Sequence, residues 1–501
     1  MYDATAGTPV PPFPGSSRRL ASGILLVILL SLALAAFFTG CALVGPDYER
    51  PEIELPASFK ESQTWRRARP RDHETRGEWW RVFNDPTLNR LEARADAGNR
   101  GLRAAMLRVM QARELARGAG AGLLPDVDFN SSFDRRRTSG TLQQSSSDFF
   151  SEGGSFSGRT RNSYRLPIEA SWEIDFWGKV RRSIEAVAAE ADAAAALYEN
   201  ARLALHADLA QNYFALRSLE AELDLLRSSV ALRGETLGLV RNRFQGGATN
   251  ELDVVKAETE LAATESEAVA LEKLRSELIN AIAVLVGQPA SSFSLSVRPL
   301  REEPPAVPAG VPSDLLERRP DVAEAERRTA AANARIGVAK AAFFPSVRLT
   351  GRAGFESAEI ADLLQSPSRA WSIGPSVNIP IFEQVVNKSV YDRRKLEYEE
   401  TVENFRQRVL IAIQEVENAL SGLHVLRRQA GVQERAVNAA NKTSDLSNNR
   451  YKAGLVAYFE VVDAERTRLQ ALRLARQIQG QRFLITVQLI KALGGGWRVK
   501  P

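Results

Sequence analysis

The sequence predicts a mixed α and β chain in which long antiparallel helical hairpins are combined with four strands. Three observations support this fold class. Residues 179–233 contain neither glycine nor proline over 55 positions, which as an α-helix would extend ~80 Å. Four shorter stretches alternate apolar and polar side chains, as half-buried strands do. The same order of patterns occurs twice, so an internal tandem repeat is expected.

The N-terminal segment has the features of a secretory signal that ends at the chain's single cysteine. A basic pair, Arg18 and Arg19, precedes an apolar run over residues 20–38. That run of 19 residues is close to the ~20 that span a bilayer, so an uncleaved anchor is the alternative. The sequence FTGC, which ends at Cys41, resembles a bacterial lipobox and implies lipid attachment to Cys41 after cleavage. Ala42, where inner-membrane lipoproteins carry aspartate, implies sorting to the outer membrane.

Composition argues against several classes of function. One cysteine excludes an intramolecular disulfide, and three scattered histidines (His73, His206 and His424) argue against a dedicated metal site. The 66 Lys and Arg are interleaved with 61 Asp and Glu, whereas nucleic-acid binders tend to cluster their basic residues. The chain has no HExxH or GxSxG, and its GGG at 494–496 lacks the lysine of a phosphate loop. We therefore expect no enzyme, no cofactor and no nucleic-acid partner.

The repeat is clearest in two regions separated by 207 positions. RNRFQGGATNELDVVKAE at 241–258 aligns with NNRYKAGLVAYFEVVDAE at 448–465. The two stretches are identical at seven positions, including Gly247 and Gly454. The same offset relates Gly287 to Gly494, so we interpret the chain as a tandem duplication.

Each half is expected to hold the same elements in the same order. A helix comes first, over residues 102–121 and again over 322–344. A long helical hairpin ends each half, with its turn at Gly246 and Gly247 or at Ala453 and Gly454. Between them lie two strands, marked by Val127, Phe129, Phe133 and 166–174 in the first half and by Val347, Leu349 and 371–382 in the second.

Four strands cannot close a barrel by themselves. An open sheet edge in lipid leaves backbone groups unsatisfied, and closed membrane barrels begin at about eight strands. Symmetric association of several chains would supply enough strands to close a barrel, because two chains would contribute eight strands and three would contribute twelve. Long hairpins that bury only a narrow stripe also need neighbours. The sequence therefore predicts an oligomer and favours a tube, with an ordinary coiled coil as the alternative.

Several longer motifs, taken together, carry a family resemblance that covers about Cys41 to Gly495. The chain resembles the TolC/OprM-type outer-membrane efflux factors, in their lipoprotein (NodT-like) branch. Asn418 departs from the aspartate usual in the last motif, and FEQVVNKS (382–389) lacks the glycine usual after that strand. The motifs are GPDYERP (45–51), WWRVFNDPTLNRLEARADAGN (79–99), ASWEIDFWGKVRRSIEAV (170–187), LLERRPDVAEAE (315–326), AKAAFFPSVRLTG (339–351) and QEVENAL (414–420).

This resemblance implies a homotrimer in which twelve strands close a membrane β-barrel and twelve helices close an antiparallel α-helical barrel in the periplasm. It implies a passive exit duct for small molecules in a tripartite efflux pump, embedded in outer-membrane lipid. The implied partners are a periplasmic adaptor and an inner-membrane transporter of the RND type. The alternative is a lipid-anchored periplasmic adaptor, which would show one hairpin flanked by lipoyl-like and β-barrel halves instead of a duplication.

On this basis we divide the chain into six segments. They are a signal peptide (1–40), a lipid-anchored N-terminal segment with an equatorial region (41–98), the first repeat (99–290), a linker (291–318), the second repeat (319–495) and a C-terminal tail (496–501).

The turns supply one set of candidate site residues. A glycine there can adopt the positive φ that a tight turn after a helix requires. The resemblance implies that these turns form the periplasmic rim and contact an adaptor, the alternative being a purely structural role. The residues are Arg243, Gly246, Gly247, Arg450 and Gly454.

The second set follows the second turn. Phe459, Asp463 and Arg466 are spaced by four and three residues, which places them on one helix face. The first repeat has Lys256 where the second has Asp463, so a trimer would carry a single ring of three acids. The resemblance implies a gate in which Phe459 is the apolar constriction, Asp463 the charged one and Arg466 a partner that holds the closed packing. The alternative is a solvated surface pair of Asp463 and Arg466.

Overall fold

The computed structural model describes residues 43–53, 77–139, 160–300, 302–307 and 318–495. The predicted signal peptide, Cys41 and the predicted loop at 140–158 lie outside the described residues. The helices in these ranges are α1 (Pro86–Gly98), α2 (Arg100–Gly120), α3 (Lys179–Gln245), α4 (Glu251–Leu285), α5 (Pro320–Ala341), α6 (Gln384–Lys452) and α7 (Tyr458–Ala492). The strands are β1 (Asp126–Phe129), β2 (Ser132–Arg137), β3 (Thr160–Ile174), β4 (Ser346–Ser357) and β5 (Arg369–Asn378).

The first helix of each hairpin ends directly before the turn that the sequence predicts. Helix α3 has 67 residues, which corresponds to ~100 Å, and continues beyond 233 through Gly234 and Gly238. Helical glycines cost some stability, but packing along a long helix outweighs propensity at single positions. Helix α5 ends at Ala341, before the predicted 344, because Pro345 disfavours helical geometry in the residue before it.

The strands form one antiparallel sheet in the order β1–β3–β4–β5, with β2 also paired to β3. Strands β1 and β2 share one register on β3, since Phe129 pairs with Ile168 and Ser132 with Arg165. The break between them lies opposite Pro167, which has no N–H to donate. The described sheet therefore has four strand positions, as predicted, in five segments.

The predicted extension of the last strand to residue 382 is wrong. Strand β5 ends at Asn378, two residues before Pro380. The pairing stops there because the partner strand β4 begins at Ser346, directly opposite Asn378.

One face of the sheet is apolar and exposed. Phe129, Ile168, Ala353 and Trp371 lie opposite one another across the four strand positions. Trp371 is 78% exposed and Phe129 64% exposed in the single chain. An apolar surface of this extent needs lipid or another protein to cover it.

The opposite face of the sheet is polar, and its charges are paired across strands β3 and β4. Arg165 lies 3.0 Å from Glu356, and Arg352 lies 3.5 Å from Glu169. Further along β3, Glu173 is 3.7 Å from an arginine of β4 and 3.0 Å from Lys179. We call this side the charged face and the other the apolar face.

The described chain forms two compact units, and each takes residues from both halves of the sequence. Of the described residues, the first unit contains the sheet and adjoining helical segments, over 43–48, 117–139, 160–186 and 333–396. The second contains 49–53, 77–116, 187–300, 302–307, 318–332 and 397–495.

In the first unit, the GPDY part of the first motif is held against neighbouring elements. The guanidinium of Arg182 donates to Asp47 at 2.7 Å. Gly45 has φ 109°, and a Cβ there would lie 2.5 Å from the Cα of Gly337. Leu43 packs against Gly178, four residues after β3 ends. The segment that follows the predicted lipidation site is therefore attached near the helix-proximal end of the sheet.

The core of the second unit is centred on aromatic side chains. Phe214 lies 4.6 Å from the ring of Phe83 and 4.8 Å from that of Phe483. Its buried neighbour Tyr213 donates a hydrogen bond of 2.6 Å to Asp85. Asp85 also accepts from backbone N–H groups at the start of α1, so one carboxylate caps this helix and fixes it to α3.

Candidate functional site at the hairpin turns

The two hairpin turns have the same backbone geometry. Gly247 has φ 74° and Gly454 has φ 77°. In each turn the residue after the glycine donates to a carbonyl five positions back, with Ala248 bound to Arg243 at 2.8 Å and its counterpart bound to Arg450 at 2.9 Å. These are helix-terminating turns that need a left-handed residue, which explains glycine at both positions.

The two turns also contact each other. The guanidinium of Arg243 donates to the backbone oxygen of Tyr451 at 3.1 Å and lies 4.6 Å from the centre of its ring. Tyr451 and Tyr458 are buried, with ring centres 5.5 Å apart. Arg243 therefore has a structural role between the turns, whereas Gly246, Gly247, Arg450 and Gly454 are exposed.

The predicted gate residues lie on the first turns of helix α7. Phe459 is 60% exposed, and the ammonium of Lys256 lies 5.7 Å from the centre of its ring. Asp463 is exposed one turn further along. Lys256, which aligns with Asp463 in the sequence repeat, thus contacts the predicted gate residue Phe459.

Arg466 is bound to a residue that the sequence did not single out. Its guanidinium forms an ion pair with the carboxylate of Glu260 on helix α4, and that carboxylate also accepts from Arg233 at 2.7 Å. Glu260 is 7% exposed. One buried carboxylate therefore joins α3, α4 and α7. The sequence did contain a signal for the role of Glu260. Its negative charge is not repeated in the second half, where the aligned residue is Thr467.

An open cleft of about 520 Å³ continues from this pair along helices α3, α4 and α7. Arg473 crosses it with hydrogen bonds of 2.8 Å to Glu222 and 2.6 Å to Glu267. The second hairpin is thus connected to the first by charged contacts at two levels. Because these ion pairs are partly exposed to solvent, they contribute little to the free energy of unfolding and serve mainly to position the two hairpins.

A separate buried polar cluster connects helix α1 to helix α3. The Nδ1 atom of His206 is 2.7 Å from Glu92, and its Nε2 atom is 3.2 Å from Asp96. Arg202 donates twice to Asp96 at 3.0 Å, and the ring of Trp80 lies 4.3 Å from that of His206.

Burial and charge pairing shift the pKa values in this cluster. Burial raises the pKa of Glu92 to about 7, although contact with His206 opposes the shift. Burial opposes protonation of His206, but its carboxylate partners outweigh that effect and raise its pKa. Burial also disfavours ionised Asp96, yet hydrogen bonds from His206 and Arg202 hold its pKa well below the usual range.

The ion pairs and hydrogen bonds described above fix the positions of the helices relative to one another. They do not form a constellation typical of a reaction centre. No group of three or more His, Cys, Asp or Glu with metal-binding geometry is present in the described part of the chain. His206 is enclosed by its two carboxylate partners and Trp80. What the site offers is a pair of exposed turns and a helix face with apolar and acidic side chains.

A family model described as outer membrane efflux protein matches residues 92–288 and 311–495. The chain belongs to this family. It is 31% identical over 475 residues to a probable efflux pump outer membrane protein, SepC, of Pseudomonas putida, with 93% of this chain and 96% of that relative covered.

Solved structures agree with the family. The chain is similar to the outer-membrane channel OprN, with a TM-score of 0.81, 31% identity, and 91% of this chain and 99% of that chain covered. It is similar to the open state of the MtrE outer-membrane channel of Neisseria gonorrhoeae, with a TM-score of 0.76, 29% identity, and 91% and 98% coverage.

The outer membrane efflux protein described here is therefore an outer-membrane channel, the exit duct of a tripartite pump, and it extends into the periplasm. The predicted family, the role as the exit duct of an efflux pump and the outer-membrane location are confirmed. Its family consists of transport channels and not of enzymes. As one component of a tripartite pump, it works with an adaptor and an inner-membrane transporter, and the alternative identification as the adaptor itself is set aside.

Proposed function

We propose that three copies of this chain form a continuous duct that conducts small molecules passively and is closed by a gate near the hairpin turns. The observation that carries the proposal is the sheet, which has an apolar face, a charged face and two open edges. Strand β5 pairs only with β4 within the described chain, and β1 with β2 form the other edge. Only closure with further copies satisfies these edges in lipid.

Three copies supply twelve strand positions, with the charged face lining the lumen. The resemblance to trimeric efflux ducts favours three over two. The tandem duplication supports the same assembly, because two similar hairpins per chain place six quasi-equivalent hairpins around the axis. The family match in two segments, 92–288 and 311–495, agrees with such a duplication.

The exposed turns are the proposed contact for the adaptor. Phe244 and Leu455, beside the two glycines, are 43% and 70% exposed. Apolar side chains at the tip of a hairpin suit a partner that presents a hairpin of its own. An inner-membrane transporter of the RND type is the proposed source of the cargo.

The proposed gate combines Phe459 and Asp463 as constricting side chains with the bond between Arg466 and Glu260 as the contact that holds the second hairpin against the first. Opening would require this bond to break as α7 moves away from α4. If the adaptor binds the open channel more tightly than the closed channel, its binding shifts the population toward the open state. A solved open state of the relative MtrE supports the idea that this family has more than one state.

Conductance tests the proposal. Purified wild-type protein in planar bilayers should give small single-channel currents, and Phe459→Ala with Asp463→Ala should give a leaky pore of high conductance. Cells that carry the double variant should also take up a large antibiotic more readily. Glu260→Gln should raise conductance as well, because a neutral amide holds Arg466 less strongly.

Leu252→Ala is the matched control, since Leu252 is the first-repeat counterpart of Phe459 and is 58% exposed. Its conductance should equal that of the wild type. Equal currents from all the variants would mean that these residues do not close the duct.

A further inference from the structure

The helix-distal end of the sheet is strongly basic. Three consecutive arginines end strand β2, at positions 135, 136 and 137, and Arg161 lies opposite Arg136 on β3. All four are exposed. Chain connectivity defines this end, because β3 begins there at Thr160 and leads at its other end into helix α3.

Strand alternation divides these arginines between the two faces. Arg135 and Arg137 follow Phe133 on the apolar face, at steps of two residues. Arg136 and Arg161 lie on the charged face, directly opposite each other. The paired ends of strands β2 and β3 therefore carry two pairs of arginines, one pair on each face of the sheet.

Arg135 and Arg137 begin where the apolar band ends. The apolar face of β3 carries no charge from Tyr164 to Ile174, and the ten residue steps between them correspond to ~33 Å along the strand. At a strand tilt of about 40° this covers about 25 Å of membrane, the height of the apolar band of an outer-membrane barrel. The rings of Phe133 and Tyr164, 4.6 Å apart, mark its outer boundary.

Charge pairing ends at the same boundary. Nearer the helices, Arg165 and Arg352 each have a carboxylate partner within 3.5 Å. Among the described residues, no carboxylate pairs with Arg135 or Arg137. Within the described residues these two guanidinium groups therefore lack an anionic partner, and on the face proposed to contact lipid an anion of the membrane can supply one. Guanidinium groups bind phosphate oxygens in a bidentate manner, which makes phosphate the matching anion.

We propose that Arg135 and Arg137 bind the phosphate groups of lipids in the outer leaflet of the outer membrane. The inference rests on the proposed duct, in which the apolar face contacts lipid and the helix-distal end is outermost. The bound lipid would fix the depth of the barrel.

Native mass spectrometry of the full-length protein in detergent tests this proposal, with diphosphorylated lipid A as the probe. The wild type should retain about tenfold more of it than of the same lipid without phosphates. Arg135→Gln with Arg137→Gln should abolish that preference. The matched control, Arg136→Gln with Arg161→Gln, removes two charges from the same hairpin on the other face and should retain the lipid as the wild type does.

Three results would overturn the proposal: equal reduction in both double variants, no preference for the phosphorylated lipid, or displacement of the lipid by inorganic phosphate alone. If the glutamine variant does not insert, Arg135→Lys with Arg137→Lys keeps the charge but removes bidentate binding, and it should retain an intermediate amount. Planar-bilayer conductance of the lipid-binding variants should match the wild type, so a failure of lipid binding is separable from a failure of the duct.

Discussion

At the scale of single residues, buried charges in this channel work as connectors between helices that are distant in sequence. Glu260 forms ion pairs with two arginines, and Glu92 and Asp96 on helix α1 contact His206 on helix α3. A buried carboxylate is costly unless it is paired, so each of these contacts specifies one arrangement of helices.

The His206 cluster should make stability depend on pH. The pKa of Glu92 is raised from 4.5 to about 7, and that of His206 is raised above 6.5. Raised values mean that the folded state binds these protons more tightly than the unfolded chain does. The contribution of Glu92 and His206 is therefore complete below about pH 4.5 and is lost as the pH rises through about 7, whereas that of Asp96, whose pKa is lowered, is lost only in acid.

We expect Glu92→Gln to flatten this dependence, since glutamine does not titrate. A shift of this size corresponds to about 3 kcal/mol for a buried group, so wild type should lose a few degrees of thermal midpoint from pH 5 to pH 8 relative to the variant. Glu235→Gln, an exposed glutamate of α3, is the control and should keep the wild-type slope. Parallel slopes for Glu92→Gln and wild type would contradict the assignment.

At the scale of elements, the hairpins depend on two turns that interrupt otherwise continuous helices. Gly247 and Gly454 have positive φ, and nothing lies within 4 Å of a Cβ built at either position. A larger side chain there would strain the backbone without a clash. Gly234 and Gly238, inside helix α3, are surrounded by equally open space but have ordinary helical geometry.

Gly247→Val with Gly454→Val should abolish efflux while assembled protein is still recovered from membranes. Valine is strongly disfavoured at positive φ, so the turns would adopt another conformation, to which the adaptor should no longer bind. Gly234→Val with Gly238→Val is the control and should leave drug susceptibility of the cells near the wild-type value. Normal efflux by the turn variant, with normal assembly, would argue against docking at the turns.

At the scale of the whole molecule, the described part of the chain leaves much of its sheet uncovered. Within the described residues the sheet has two unpaired edges and an exposed apolar face, and the segment after β5 exposes Phe382 at 94%. Surfaces of this kind are stable in a closed ring of identical chains, where each copy contributes one edge of each type.

Native mass spectrometry in mild detergent should detect three chains per particle, and electron microscopy should show a hollow cylinder with threefold symmetry. The physical reason is closure, since twelve strand positions form a barrel and four do not. A stable dimer of eight strand positions would contradict the proposed assembly.

The lipid anchor should add to assembly without being essential to it. Labelled fatty acid should be incorporated into the wild type and not into Cys41→Ser, because the thiol is the proposed acylation site. Cys41→Ser should reduce the amount of assembled protein but leave transport per assembled channel unchanged, since the barrel is itself inserted in the membrane. Equal labelling of both proteins would remove Cys41 as the acylation site.

The helices, strands and turns could be located from the amino-acid sequence, because their signals are local. Apolar spacing and the absence of glycine and proline located the long helices, and alternation located the strands. The turns at Gly247 and Gly454 were predictable because only glycine readily adopts their positive φ. The motifs were sufficient to indicate the family.

Which of these elements meet, and therefore which charges are paired, depends on the tertiary packing. Arg466 lies 206 residues from Glu260, and Arg243 lies 208 residues from Tyr451. No periodicity within either helix reports such a contact, because it depends on how two hairpins pack and not on the propensity of either. The division of the sheet into an apolar and a charged face was implicit in the alternation. The partners of each arginine became visible only once the strand register fixed which side chains stand opposite one another.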